Sequence, residues 1–158
     1  MLFRSQIPFF DNLGTLYLLL EKWDLAIGCF EKAVRNITYK TPHFSYNNMG
    51  LAYYNKGEHR KAIESYRRAL KLSPSYAMCY TNLGLAYEAI NSLQAAIEVH
   101  KKSIHYAPDY PAPHFNLARL YLRLKQNDEA RKELKRTIEI DPDGNYGNEA
   151  KRLLKDIK

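Results

Sequence analysis

The sequence predicts an all-α solenoid of four helical hairpins followed by a C-terminal helix. Three observations predict it. The triplet Asn-Leu-Gly recurs as Asn12-Leu13-Gly14, Asn48-Met49-Gly50, Asn82-Leu83-Gly84 and Asn116-Leu117-Ala118, at intervals of 36, 34 and 34 residues. Apolar residues within each interval recur three and four apart, the signature of an amphipathic helix. A proline closes three of the intervals, at Pro74, Pro108 and Pro142. Self-similarity at this period means a stack of supersecondary units, none of which can bury its apolar face alone.

The elements follow in order. Helices are expected over about residues 8–21, 24–37, 42–55, 58–71, 76–89, 92–105, 110–124, 127–140 and 147–157. Tyr17, Tyr53, Tyr87 and Tyr121 each stand three residues after the small residue of the triplet. Ala26, Ala62, Ala96 and Ala130 stand twelve after it, and Ala33, Ala69, Ser103 and Thr137 seven further on. The small residues let the first helix of a unit approach the second closely, so that side-chain ridges interlock. Turns such as Asn55-Lys56-Gly57-Glu58 and Gln126-Asn127-Asp128 separate the two helices. Each closing proline ends a second helix, because the residue before proline disfavours the α region. The first unit departs from the pattern. Thr38 replaces its closing proline, and two extra residues lengthen the exit across Asn36–Pro42. His100 and Leu134 stand where Phe30 and Tyr66 supply an aromatic ring. The last helix places Ala150, Leu153, Leu154 and Ile157 on one side and charges on the other, as a cap on an open end requires. No comparable cap precedes the first unit, where Phe9 and Phe10 stand exposed to a second copy or to another repeat.

Composition narrows the function class. The chain has 158 residues, 46% of them hydrophobic, with 13 tyrosines, against the composition of a disordered chain. The net charge of +7 is spread among Asp and Glu along the helices, with no basic run interleaved with aromatics, so no nucleic-acid partner is expected. No apolar stretch reaches a membrane-spanning length, so no direct membrane insertion is expected. Met1–Phe10 lacks the apolar core and cleavage site of a signal peptide. The compartment stays open, the cytoplasm being the default and the bacterial periplasm the alternative if a leader was removed. Cys29 and Cys79 sit inside helical patterns as small apolar side chains. His43, His59, His100, His105 and His114 have no metal-like spacing with Cys or carboxylates. No phosphate loop or nucleophile motif occurs, so no catalytic residue, metal site or cofactor is expected.

The triplets, tyrosines, alanines and closing prolines resemble the tetratricopeptide-repeat (TPR) family over about residues 7–142. The resemblance implies one domain over 1–158: a right-handed superhelix with repeats at about 7–42, 43–76, 77–110 and 111–142 and a capping helix at 147–157. It implies a non-catalytic interaction scaffold that holds a protein or extended peptide in a concave groove. Positions 2, 5, 6, 9, 12 and 13 of each unit line that groove in the family. Carried over, they give a ladder of Asn12, Asn48, Asn82 and Asn116, and the apolar residues Phe44, Leu51, Tyr54, Met78, Leu85 and Phe115. Arg119 and Arg123, one turn apart, are placed to take an acidic group. An amide both donates and accepts, so an asparagine ladder can hold a peptide backbone without reading side chains. The two-carboxylate clamp of chaperone-binding members needs basic residues where this chain has Asp11, Met78 and Asn82, so that mode is not expected.

Two further likenesses supply alternatives. The exit of the first unit, Thr38-Tyr39-Lys40-Thr41-Pro42, loosely resembles bacterial TPR proteins of type IV pilus assembly, which implies an assembly module stacking through the N-terminal end. The asparagine ladder resembles the repeat arm of O-linked N-acetylglucosamine transferase, which implies the arm of a larger enzyme.

Overall fold

The computed structural model describes residues 7–35 and 41–157. The exit segment Asn36–Lys40 and the N-terminal Met1–Gln6 lie outside the described residues, together with the expectations placed on them.

Among the described residues the chain forms nine helices and no strand. They are α1 (Ile7–Leu19), α2 (Trp23–Val34), α3 (Pro42–Asn55), α4 (His59–Leu72), α5 (Ala77–Ala89), α6 (Leu93–Tyr106), α7 (Pro111–Arg123), α8 (Asn127–Ile140) and α9 (Asn145–Asp156). The odd helices are the first helices of the four units, and α9 follows α8 as a fifth.

One turn type serves all four hairpins. Glu21, Gly57, Asn91 and Lys125 adopt positive φ, between 56° and 84°. The amide after each donates to the tyrosine carbonyl one turn back: Lys22 to Tyr17, Glu58 to Tyr53, Ser92 to Tyr87 and Gln126 to Tyr121, at 2.8–2.9 Å. This left-handed closure satisfies carbonyls that a helix end otherwise leaves without donors. It ends α1 at Leu19, two residues before the expected stop. It also corrects the fourth turn, which falls at Leu124-Lys125-Gln126. Asn127 and Asp128 already belong to α8, where Asp128 and Glu129 put negative charge on the helix N-terminus.

Between units the chain leaves the α region at Ser73, Ala107 and Asp141, each directly before a proline. Asp141 has a second task. Its Oδ2 accepts from the amides of Tyr146 (3.0 Å) and Gly147 (3.2 Å), so it caps α9 from the preceding loop. Gly147 is buried, and a methyl group there would collide with the Asp141 carbonyl.

The core is a series of local clusters. Ala26, Ile27 and Phe30 of α2 pack on Met49 and Ala52 of α3. Ala62, Ile63, Tyr66 and Ala69 of α4 pack on Cys79, Leu83 and Ala86 of α5. Ala96 and Ile97 of α6 meet Leu117 and Leu120 of α7. Ala118 and Leu134 close the series with Ala150 of α9. Each second helix therefore covers the next first helix, and each unit leans on its neighbour. Within units the glycine of the triplet faces the residue at the aromatic position. A methyl on Gly14 would lie 2.6 Å from the Phe30 ring, and one on Gly50 would lie 2.5 Å from that of Tyr66. Gly84 faces His100 in the same way. The fourth unit carries Ala118 and, opposite it, Leu134, which has no ring. Cys29 and Cys79 are buried free thiols. Burial pushes the Cys79 thiol up to about 12, so it stays protonated and serves as a small packing group.

Candidate functional site

The first helices bring the asparagine positions to one face, but in unequal environments. Asn12 is exposed, Asn48 and Asn82 are half-buried, and Asn116 is buried at 5% exposure. Neighbouring first helices are joined across this face by polar contacts. Ser45 Oγ donates to Asp11 Oδ1 at 2.6 Å, linking α3 to α1. Asn82 Nδ2 donates to Asn47 Oδ1 at 3.0 Å, linking α5 to α3, and Asn47 Nδ2 donates to Asn48 Oδ1 at 3.3 Å. Asn47, 3% exposed, is thus the buried member of an amide chain running Asn82, Asn47, Asn48. Among the described residues, Asn48 Nδ2 and Asn82 Oδ1 are left without a protein partner. One donor and one acceptor therefore remain on adjacent helices, the complement of one peptide group.

The apolar positions divide by exposure. Phe44 is 42% exposed and Met78 49% exposed. They flank Tyr76, whose ring centroid lies 5.4 Å from that of Phe44 and whose hydroxyl lies 4.0 Å from the Met78 sulfur. His43 completes this rim, 4.2 Å from Phe44 between ring centroids. Burial holds the His43 pKa below that of a free imidazole, because desolvation disfavours the charged ring. Leu51, Tyr54 and Leu85 are half-buried. Phe115 is 9% exposed and packs under α9, with the Tyr146 ring 5.5 Å away. α7 is buried without a break from Ala112 to Ala118, so Asn116 lies inside the fold, whereas Phe115, although mostly covered, still borders the cleft beside Arg119 and Arg123.

Arg119 and Arg123 are exposed and border a cleft of 430 Å³ that also touches Leu122 and Leu153. Arg123 is engaged. Its Nη2 donates to Asn91 Oδ1 at 3.3 Å, and its Nη1 lies 3.9 Å from Glu88 Oε2. Among the described residues Arg119 has no polar partner. Glu88 in turn meets His100 Nε2 at 3.3 Å, and the His100 ring is fully buried. The third unit has therefore exchanged the Leu18 and Phe30 of the first for a polar pair at the same two positions. Sequence reasoning placed Glu88 on the groove face and marked His100 as a departure from the aromatic position, but did not pair them. The signal was present, as two polar residues at two normally apolar positions of one unit. The bridging role of Asn47 left no comparable signal, since it depends on which neighbour it reaches.

Two general features bound the chemistry. Among the described residues, no group of three His, Cys, Asp or Glu is arranged to hold a metal ion. No described helix is long and apolar enough to cross a membrane.

Three family models match successive stretches of the chain: a tetratricopeptide repeat over residues 10–42, a TPR repeat over 50–91, and a second tetratricopeptide-repeat model over 91–157. A peroxisomal targeting signal receptor of Saccharomyces cerevisiae is 34% identical over 64 residues, which is 40% of this chain and 10% of that receptor. The crystal structure of MamA superposes with a TM-score of 0.79 at 28% identity, covering 87% of this chain and 80% of that one. The first TPR of Spaghetti (RPAP3), bound to an HSP90 peptide, has the same fold at a TM-score of 0.69 and 20% identity, covering 77% of this chain and 95% of that one.

Proposed function

We propose, because the chain belongs to the tetratricopeptide-repeat family of protein-interaction modules, that its concave groove binds an extended segment of a protein partner. The observation that carries this reading is the open pair on adjacent helices, the Asn48 Nδ2 donor and the Asn82 Oδ1 acceptor. The buried amide of Asn47 fixes both side chains, so little rotamer freedom is left to lose on binding. A peptide group lying across α3 and α5 accepts from one and donates to the other. Beside this pair, Phe44 and Met78 offer exposed apolar surface for a side chain of the same segment. The peptide-bound Spaghetti repeat supports the reading by analogy of fold alone.

The test is a calorimetric titration with candidate extended peptides, comparing the parent with a variant carrying Asn48→Ala and Asn82→Ala. Two lost hydrogen bonds weaken binding by roughly tenfold to a hundredfold. A folded double variant that binds with parental affinity overturns the groove assignment.

A further inference from the structure

Large apolar side chains stand exposed along α1 and at the residue that follows it. Phe9, Leu16, Leu19 and Leu20 are 57%, 50%, 78% and 52% exposed. The positions matching Leu19 (Asn55, Ala89, Arg123) and Leu20 (Lys56, Ile90, Leu124) are exposed in the other units as well, but those matching Phe9 and Leu16 are not. Those matching Phe9 are Ser45, Cys79 and Pro113, and those matching Leu16 are Ala52, Ala86 and Leu120. All six are buried. Those matching Leu13 are Met49, Leu83 and Leu117, at 6%, 3% and 2% exposure. The second helix of the preceding unit packs on Met49 and Ala52, on Cys79, Leu83 and Ala86, and on Leu117 and Leu120. On α1 no described element does so, yet Phe9 is bulkier than its three counterparts and Leu16 than two of its three.

Phe9, Leu13, Leu16 and Leu20 are spaced four, three and four apart, which is the seam of a helix that packs along a partner helix. This spacing reads the same in both directions. If two copies of α1 meet antiparallel about a two-fold axis, Phe9 faces Leu20 of the second copy and Leu13 faces Leu16 of the second copy. Both contacts recur by symmetry, as an isologous interface requires. Charge does not oppose the pairing. Asp11 is the single charged residue within Ile7–Leu19, it already accepts from Ser45, and it falls opposite Leu18 of the second copy.

We propose that the chain pairs with a second copy of itself through α1, across a two-fold axis on the Phe9, Leu13, Leu16 and Leu20 seam. The seam uses positions apart from those of the peptide groove, so the pairing does not depend on the groove reading.

Sedimentation equilibrium of the full chain over a wide concentration range tests it. A monomer–dimer equilibrium is expected. Leu16→Ala weakens it by roughly thirtyfold, since half of each leucine remains to be buried and two are lost per dimer. Leu16→Glu and Leu16→Lys are each expected to be monomeric, and their mixture to recover a heterodimer, because the two side chains lie within one turn of each other across the axis. Circular dichroism separates loss of pairing from loss of fold. A parent chain monomeric at every concentration overturns the proposal, as does growth beyond a dimer. A folded Leu16→Glu variant that still pairs, or a mixture that does not, overturns it equally.

Discussion

Replacing Gly50 with alanine tests the close approach of α3 to α4 directly. In an exposed helix the change stabilises by about 1 kcal/mol, because alanine loses less backbone entropy than glycine. Here the new methyl would meet three ring atoms of Tyr66 at 2.5–2.9 Å. Tyr66 is 1% exposed, so its ring sits in the core and must shift against its neighbours to make room. Overpacking of this kind costs about 1–3 kcal/mol. The overpacking term exceeds the propensity gain, leaving a net loss of about 1 kcal/mol and a melting temperature lower by about 2–4 °C. The fourth unit indicates how to relieve the clash, because it pairs Ala118 with Leu134. In a Tyr66→Leu background the ring is gone, and Gly50→Ala should then stabilise by up to about 1 kcal/mol. The sign of one substitution thus reverses with the residue opposite, a coupling of about 2 kcal/mol. The assay is urea unfolding of the four proteins of the cycle, read at the midpoint. Gly50→Ala stabilising both backgrounds alike would refute the close-packing argument.

The remaining predictions concern the cap and the rim. Asp141→Ala removes the acceptor for the Tyr146 and Gly147 amides, which should cost about 1 kcal/mol. Hydrogen exchange should accelerate at those two amides and along α9, with little change in α3 and α4; uniform acceleration across the chain would contradict a local cap. His43 is held below its unfolded pKa, so the folded state favours the neutral ring. Its stability contribution is complete above the unfolded value of about 6.5 and is lost as pH falls through the lower folded value. NMR titration should find His43 protonating at lower pH than free imidazole. A His43→Phe variant should lose part of the acid sensitivity in urea melts, and a His43 that titrates above free imidazole would rule the linkage out.

The fold was legible because packing repeats. Gly14, Gly50 and Gly84 must each clear the residue at the aromatic position of the same unit, so the constraint appears three times, at intervals of 36 and 34 residues. Four copies of one tyrosine and one alanine position make the period plain. Turn detail was less legible. Only Gly57 announces a left-handed residue, whereas Glu21, Asn91 and Lys125 adopt the same conformation without glycine. The carbonyls of Tyr17, Tyr53, Tyr87 and Tyr121 need a donor in every unit, and this shared need sets the turn more firmly than local propensity. The site was legible only as a row of positions. Asn12, Asn48, Asn82 and Asn116 are equivalent in the repeat, but exposure depends on neighbours. The packing of α9 covers most of Phe115, Asn116 is buried, and Asn47 engages Asn48 and Asn82. Burial by a non-repeated element such as α9 cannot be read from the period of the repeat.

Departures from the repeat therefore carry more information than agreement with it. His100 lies where Phe30 and Tyr66 lie, and a buried imidazole needs a polar partner. Glu88 supplies it from the position of Leu18 and Tyr54, and Arg123 approaches the second oxygen of Glu88 from the next unit. One replacement in a buried position thus organises charge on the concave face, beside an Arg119 that has no polar partner among the described residues. The bulk of Phe9 and Leu16, at positions where other units carry mostly small residues, is a departure of the second kind. Groove positions and seam positions alternate around the same helix, so α1 can serve pairing without altering the Asn48–Asn82 pair. If two copies join at α1, each particle carries two grooves. A partner bearing two copies of the recognised segment would then bind its second site intramolecularly, gaining avidity without any new contact. Leu16→Glu would remove that gain and leave the affinity for a single segment unchanged. This separation follows only if the groove and the seam are independent surfaces of one repeat array.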